Sequence, residues 1–278
     1  MVVPFMDASA KYLGGLAVPV LMIVWGRFFA SLIILLGVLV ATGKVRRLPT
    51  IGSPGLQIAR ALLSVGATMG YFAAIQTMPL ADALAVYFIY PFLITALSPL
   101  VLGERPGLHR WGAVCIGFLG SLLVIQPAAD EGIAVGVYYL IAASFAFALY
   151  NLLTRRLSGR ADPMGTLLVQ MVVGTVVMSA ALPYAWQTPN LVEIGLFTAI
   201  GFASVAAHFL LVRSYDFAPA SVLAPFTYVE MIGTTLLGYL IFNDFPDALT
   251  WLGVAVIIAS GTYIAHRERR LENANTHP

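Results

Sequence analysis

PLADALAVYFIYPFLITALSPLVLGERP, residues 79–106, is the stretch from which the rest of the chain can be read. It carries no charge between Asp82 and Glu104, so it is long and apolar enough to cross a bilayer. Pro91 and Pro99 lie well inside it, and it ends in the polar turn Gly103-Glu104-Arg105-Pro106. A second version, PASVLAPFTYVEMIGTTLLGYLIFNDFP, occupies residues 219–246, about half of the 278 residues further on. A chain that repeats its most irregular helix half a length later is expected to be two copies of one unit.

Composition places both copies in lipid. Hydrophobic residues make up 60% and charged residues 10%, with a mean hydropathy of +0.89; a soluble domain carries about 25% charged residues. Cys115, the single cysteine, excludes an intrachain disulfide and reads as a small core residue. Residues 1–12 lack the basic start and small-residue cleavage site of a signal peptide. Apolar runs near 18–41, 55–77, 81–103, 109–126, 133–154, 164–186, 190–212, 220–242 and 248–265 are expected to span. Residues 1–13 make only about 20 Å of helix where about 30 Å is needed. They count as a tenth span that is short, or whose start lies upstream of Met1.

Charge supplies the topology. Of the 15 Lys and Arg, all but Lys11 and Arg27 fall in alternate loops or helix ends: Lys44, Arg46, Arg47 and Arg60; Arg105 and Arg110; Arg155, Arg156 and Arg160; Arg213; Arg267, Arg269 and Arg270. The intervening loops carry Asp130, Glu131, Asp244 and Asp247 instead. This positive-inside bias puts the C-terminus in the cytoplasm, and ten spans then put the N-terminus there too. Five spans per half is odd, so the second copy enters from the opposite side. The expected fold is therefore all-α and integral to the membrane, with ten helices in two inverted five-helix repeats around a central cavity. Residues 1–127 form the first repeat, 132–266 the second, and 267–278 a polar cytoplasmic tail.

Several stretches carry a family resemblance: Met6-Asp7-Ala8-Ser9-Ala10-Lys11-Tyr12, Trp25-Gly26-Arg27-Phe28, the block from Pro79 through Arg110-Trp111-Gly112 to Gly120, and Trp251-Leu252-Gly253. Together they resemble the EamA branch of the drug/metabolite transporter superfamily over almost the whole chain. The resemblance implies a ten-helix basket and transport of a small metabolite: amino-acid-like, vitamin-like or drug-like. The Pro-Leu-Ala-Asp block is also similar to a branch that includes flavin carriers.

Polar groups deep in spans are the candidates for substrate or coupling, because such groups are costly in hydrocarbon. Glu230 is the most isolated acid, with Thr227 and Thr234 on its helix face; it reads as a proton carrier or as half of a structural pair. Arg27 reads as a clamp for an anionic substrate group, as the partner of Asp7 or Glu230, or as packing on Trp25. Asp7 and Lys11, four residues apart, read as a mutually neutralising pair. Tyr87, Pro91, Thr95 and Ser98 form a weakly polar stripe, and Pro91 frees the carbonyl of Tyr87. In the two copies Pro91 aligns with Glu230, and Pro225 lies nearby. Tyr90 and Tyr228 are lesser candidates. Gln170, with Thr166 and Gly174, is a polar cavity group; His208, with Ser204 and Gly201, is a proton relay or a bonded packing residue. Asp82 reads as a helix-start residue at the outer mouth. Gly66 with Gly70, and Gly117 with Gly120 and Ser121, read as helix contacts.

No metal or phosphate motif occurs, and no cofactor is implied. The Arg runs read as anionic-lipid contacts rather than a nucleic-acid footprint. A carrier with a small-molecule substrate is therefore favoured over a membrane enzyme, whose clustered surface His, Asp or Ser the short loops lack. A channel, a helper subunit of a membrane complex and a homodimer stay open at this point.

Overall fold

The computed structural model describes residues 2–43, 52–103, 107–125, 134–217 and 229–276. Among these every regular element is helical: α1 Val3–Gly15, α2 Val20–Ala41, α3 Pro54–Ile75, α4 Leu80–Tyr87, α5 Tyr90–Leu102, α6 Leu108–Ile125, α7 Val135–Leu157, α8 Pro163–Ala181 with a 3₁₀ turn Leu182–Tyr184, α9 Leu191–Ser214, α10 Val229–Phe242 and α11 Ala248–Thr276. Helix starts follow local chemistry. Asp162 accepts from Met164 N at 2.7 Å with Pro163 behind it, and Asn190 and Glu193 close a capping box on α9. Six helical spans are long and apolar enough to cross a membrane: α2, α3, α4 joined with α5, α7, α8 with its 3₁₀ turn, and α9.

The expected fourth span is broken in two at residues 88–89, and Pro91 is the cause. Pro91 has no N–H to give the Tyr87 carbonyl. Ser144 Oγ of α7 donates to that oxygen instead, at 3.1 Å. The freed carbonyl is thus closed by a neighbouring helix rather than left open to a cavity. Pro99 would orphan the Thr95 carbonyl in the same way, and Ser98 Oγ donates to it at 3.0 Å. Ser144→Ala should therefore lower stability by about 1 kcal/mol, by unpairing a buried carbonyl. A reduced thermal midpoint of the solubilised protein would show it, and an unchanged one would mean the break needs no closure.

Several of the main helix contacts pair up under exchange of the halves, with α1, α2, α3, α4–α5 and α6 matched to α7, α8, α9, α10 and α11. The α3–α7 contact becomes α9–α1, α2–α9 becomes α8–α3, and α4–α7 becomes α10–α1; α2–α8 and α6–α11 map onto themselves. Close approach depends on glycine in both halves. A Cβ on Gly70 would lie 2.8 Å from the Tyr139 carbonyl of α7, and one on Gly201 would lie 2.7 Å from Ala30 Cβ of α2. Gly66, expected to share that role, faces open space.

Polarity is arranged inside out. Val40, Phe202 and Leu240 are among the most exposed side chains, whereas Arg60 is fully buried. An apolar exterior and a hydrogen-bonded interior are what a lipid solvent selects. Cys115 is exposed on α6 and is not a core residue. α11 runs on to Thr276, so the polar segment after residue 266 continues the last helix.

Candidate functional site

The most polar part of the interior is built around two arginines. Arg27 of α2 donates from Nε to Ser204 Oγ of α9 at 3.1 Å and from Nη1 to Thr68 Oγ1 of α3. Its Nη2 lies 2.6 Å from His208 Nε2. The guanidinium also lies against the Phe28 ring, 5.0 Å from its centroid. Neither Asp7 nor Glu230 forms a salt bridge with it, and Trp25 is elsewhere, stacked on Phe29 at 4.7 Å and donating to Ser179 Oγ. Of the partners expected for Arg27, none is the one found. Three of its five N–H groups are used among the described residues.

Arg60 corrects the charge count. Taken as a loop-flanking cation, it is 0% exposed and points into the helix bundle. Its Nε donates to Thr154 Oγ1 at 2.7 Å, Nη1 to the Thr166 carbonyl, and Nη2 to Tyr150 OH at 3.0 Å and Gln170 Oε1 at 2.8 Å. Gln170 Nε2 in turn donates to Ser64 Oγ at 2.8 Å. Tyr150 OH sits 3.0 Å from His208 Nδ1, joining the two arginines into one network across α2, α3, α7, α8 and α9. Two of the network's links between the halves match. Arg27 of α2 reaches Ser204 of α9, 177 residues on, and Gln170 of α8 reaches Ser64 of α3, 106 residues back.

Two carboxyl groups belong to the same interior. Asp7 of α1 is 1% exposed; its Oδ2 accepts from Tyr71 OH at 3.1 Å, and its Oδ1 has no hydrogen-bond partner among the described residues. Asp7 and Lys11 are not a pair. Lys11 turns to the end of α10, where it meets Asp244 at 2.8 Å and the Met78 carbonyl at 2.9 Å. Asp7 instead lies within electrostatic reach of both Arg27 and Glu230. Glu230, half-buried in the first turn of α10, also acts on Tyr71 and Tyr87. Thr234, on its face, is fully buried, and its hydroxyl has no partner among the described residues.

Between the acids and the arginine network runs a wall of rings. Tyr71 and Tyr87 are 4.8 Å apart, Tyr87 and Tyr90 5.4 Å, Tyr90 and Phe147 4.9 Å, and Phe147 and Tyr150 5.4 Å. Tyr87 and Tyr90 therefore join the site as aromatics. Lower in the same stripe, the Thr95 and Ser98 hydroxyls donate to carbonyls of their own helix. Asp82, in the first turn of α4, lies near Thr250, Asp244 and Asp247. Thr227, Tyr228 and Pro225 lie outside the described residues. Among the described residues no group of His, Cys, Asp and Glu could hold a metal ion. Sequence reasoning missed Arg60, Ser64, Thr68, Tyr71, Tyr150 and Phe147. Tyr150 and Thr154, four residues apart inside a span, were a polar signal that could have drawn attention to α7.

Residues 6–126 and 134–265 each match the EamA-like transporter family. An S-adenosylmethionine uptake transporter of Rickettsia bellii is 28% identical over 264 residues, covering 95% of this chain and 89% of its own. A riboflavin transporter of Rhizobium johnstonii is 28% identical, with 79% and 72% covered. A pseudopaline exporter of Pseudomonas aeruginosa is 31% identical, with 68% and 67% covered. A solved crystal structure, 18% identical, superposes with a TM-score of 0.68 over 98% of both chains and shows the same fold.

Proposed function

The chain belongs to the EamA-like transporter family, a multi-pass, ten-helix membrane carrier of small molecules, and from that premise we propose how it holds and moves its substrate. The two halves are inverted repeats that rock about a central site in the inner membrane, with both termini cytoplasmic. Support comes from the exchange-symmetric helix contacts and from the alternation of basic and acidic loops. The site lies where Arg27, Tyr87, Tyr71, Asp7 and Glu230 converge. The observation that carries this is the segregation of charge there: carboxylates on α1 and α10, guanidinium on α2, rings between them.

A site of that kind suits a zwitterion with an apolar or planar body. Cationic groups rest against carboxylate and ring faces, and anionic groups against a guanidinium. Tyr87, Tyr90 and Phe147 supply the ring faces, and Trp25 lies outside the site. S-adenosylmethionine, the solute of several relatives, has this chemistry; riboflavin has the planar body without the charges. Purified protein in liposomes should take up one labelled solute of this class saturably, and S-adenosylmethionine and riboflavin are the first two to measure. Non-saturable leakage, or chemical turnover of the solute without transport, would count against a carrier.

A further inference from the structure

A guanidinium only donates hydrogen bonds, and this sets the proton on every neighbour of the two arginines. With Arg27 Nη2 at 2.6 Å, His208 Nε2 has to accept, so the ring is neutral with its proton on Nδ1. Nδ1–H then donates to Tyr150 OH at 3.0 Å. That hydroxyl also accepts from Arg60 and gives its own proton to Gln170 Oε1 at 3.2 Å. His208 Nε2 is thus a bare lone pair turned toward the cation that lies next to the carboxylate side of the site.

We propose that Arg27 docks an anionic group of the substrate, a carboxylate or a phosphate, and that this anion brings a proton onto His208 Nε2. The proposal rests on the carrier reading above. Arg27 has N–H groups to spare, so it can turn to an anion without leaving its place between α3 and α9. An anion entering between Nη2 and Nε2 would meet a lone pair, which repels it. A proton from solvent on Nε2 converts that lone pair into a second donor, while Nδ1–H keeps its bond to Tyr150.

Among the described residues, the charged and titratable groups around His208 are Arg27 from α2, Arg60 from α3 and Tyr150 from α7; α8 adds the neutral Gln170. α1, also packed on α9, carries Asp7, which acts on Arg27. An imidazolium among two guanidiniums is disfavoured until an anion arrives to balance it. Anion and proton therefore favour each other's binding, and by linkage the coupling is reciprocal. This places the co-transported proton on His208 and leaves Asp7 and Glu230 for the cationic group.

Nitrogen-15 spectra of histidine-labelled protein in detergent test this, with His208→Gln assigning the signal among the four histidines. Wild-type protein near pH 7 should show neutral His208 protonated at Nδ1 alone. Arg27→Glu, which supplies the anion covalently, should show it doubly protonated. On wild-type protein, S-adenosylmethionine (carboxylate, no phosphate) or riboflavin 5′-phosphate (phosphate, no carboxylate), whichever binds, should produce the same change, and neutral riboflavin should not. A proton on Nε2 without ligand, a mere tautomer shift on anion binding, or a neutral His208 in folded Arg27→Glu overturns the proposal. In liposomes, His208→Gln should weaken solute uptake and remove its response to an imposed pH gradient; a gradient response retained in His208→Gln also overturns the proposal. Absence of transport for every solute would instead defeat the carrier reading, with the spectra still deciding the proton's place.

Discussion

Arg60→Ala should destabilise the protein more than any other single change considered, by about 3–5 kcal/mol. The guanidinium holds α3 to α7 and α8 through four hydrogen bonds, and its removal leaves the Thr154 and Tyr150 hydroxyls, the Gln170 amide oxygen and the Thr166 carbonyl short of a donor. Each bond to a charged group is worth about 1.5–3 kcal/mol. The stacking on Tyr150, 4.6 Å from the ring centroid, is lost as well. The measurement is thermal unfolding of solubilised protein followed by size exclusion. Arg60→Lys should recover little, because an ammonium cannot span acceptors on two helices in one plane. If Arg60→Ala elutes and melts as wild type, the buried guanidinium is dispensable and the network does not organise these helices.

Glu230→Gln should reduce uptake of a cationic or zwitterionic solute at least about tenfold, a loss of at least ~1.4 kcal/mol of binding or transition-state free energy. Asp7 and Glu230 are two acidic groups that repel each other when both are ionised in a poorly screened interior, and the Asp7 Oδ1 atom has no described partner. A cationic group placed against them removes that repulsion and satisfies the open oxygen. The amide keeps the shape of Glu230 and removes its charge, so the change should fall on solute affinity while folding is kept. The pH-gradient response separates two roles. If Glu230→Gln still transports but ignores the gradient, the coupled proton rides on Glu230 and not on His208. If uptake is untouched in every respect, Glu230 belongs to neither the substrate nor the coupling site.

Much of the fold was legible because lipid leaves so few choices. An uninterrupted apolar run must be a helix, since its backbone groups have no water to bond, and the six longest spans fall within a few residues of the expected limits. The break inside residues 79–106 was legible too, because Pro91 removes a specific donor whatever surrounds it. The site was legible in part. Asp7, Arg27, Gln170, His208 and Glu230 stand out in apolar runs for the same reason of cost, and the structure places all five in one polar interior region, linked by hydrogen bonds or electrostatics.

What those residues do to one another was decided only by packing. By spacing alone Asp7 faces Lys11, yet α3 brings Tyr71 to Asp7, and the loop after α10 brings Asp244 to Lys11. Arg60 looked like a topology signal because it lies near a basic loop; the helices α7 and α8 surround it with hydroxyls and an amide and make it a buried anchor. The sequence by itself determined that this chain is a bundle of membrane helices with a few costly polar groups, because each such group is penalised by its solvent independently of its neighbours. Only the tertiary structure decided the pairing of those groups. A hydrogen bond depends on distances of a few tenths of an ångström between helices far apart in the chain, and no local pattern carries that information.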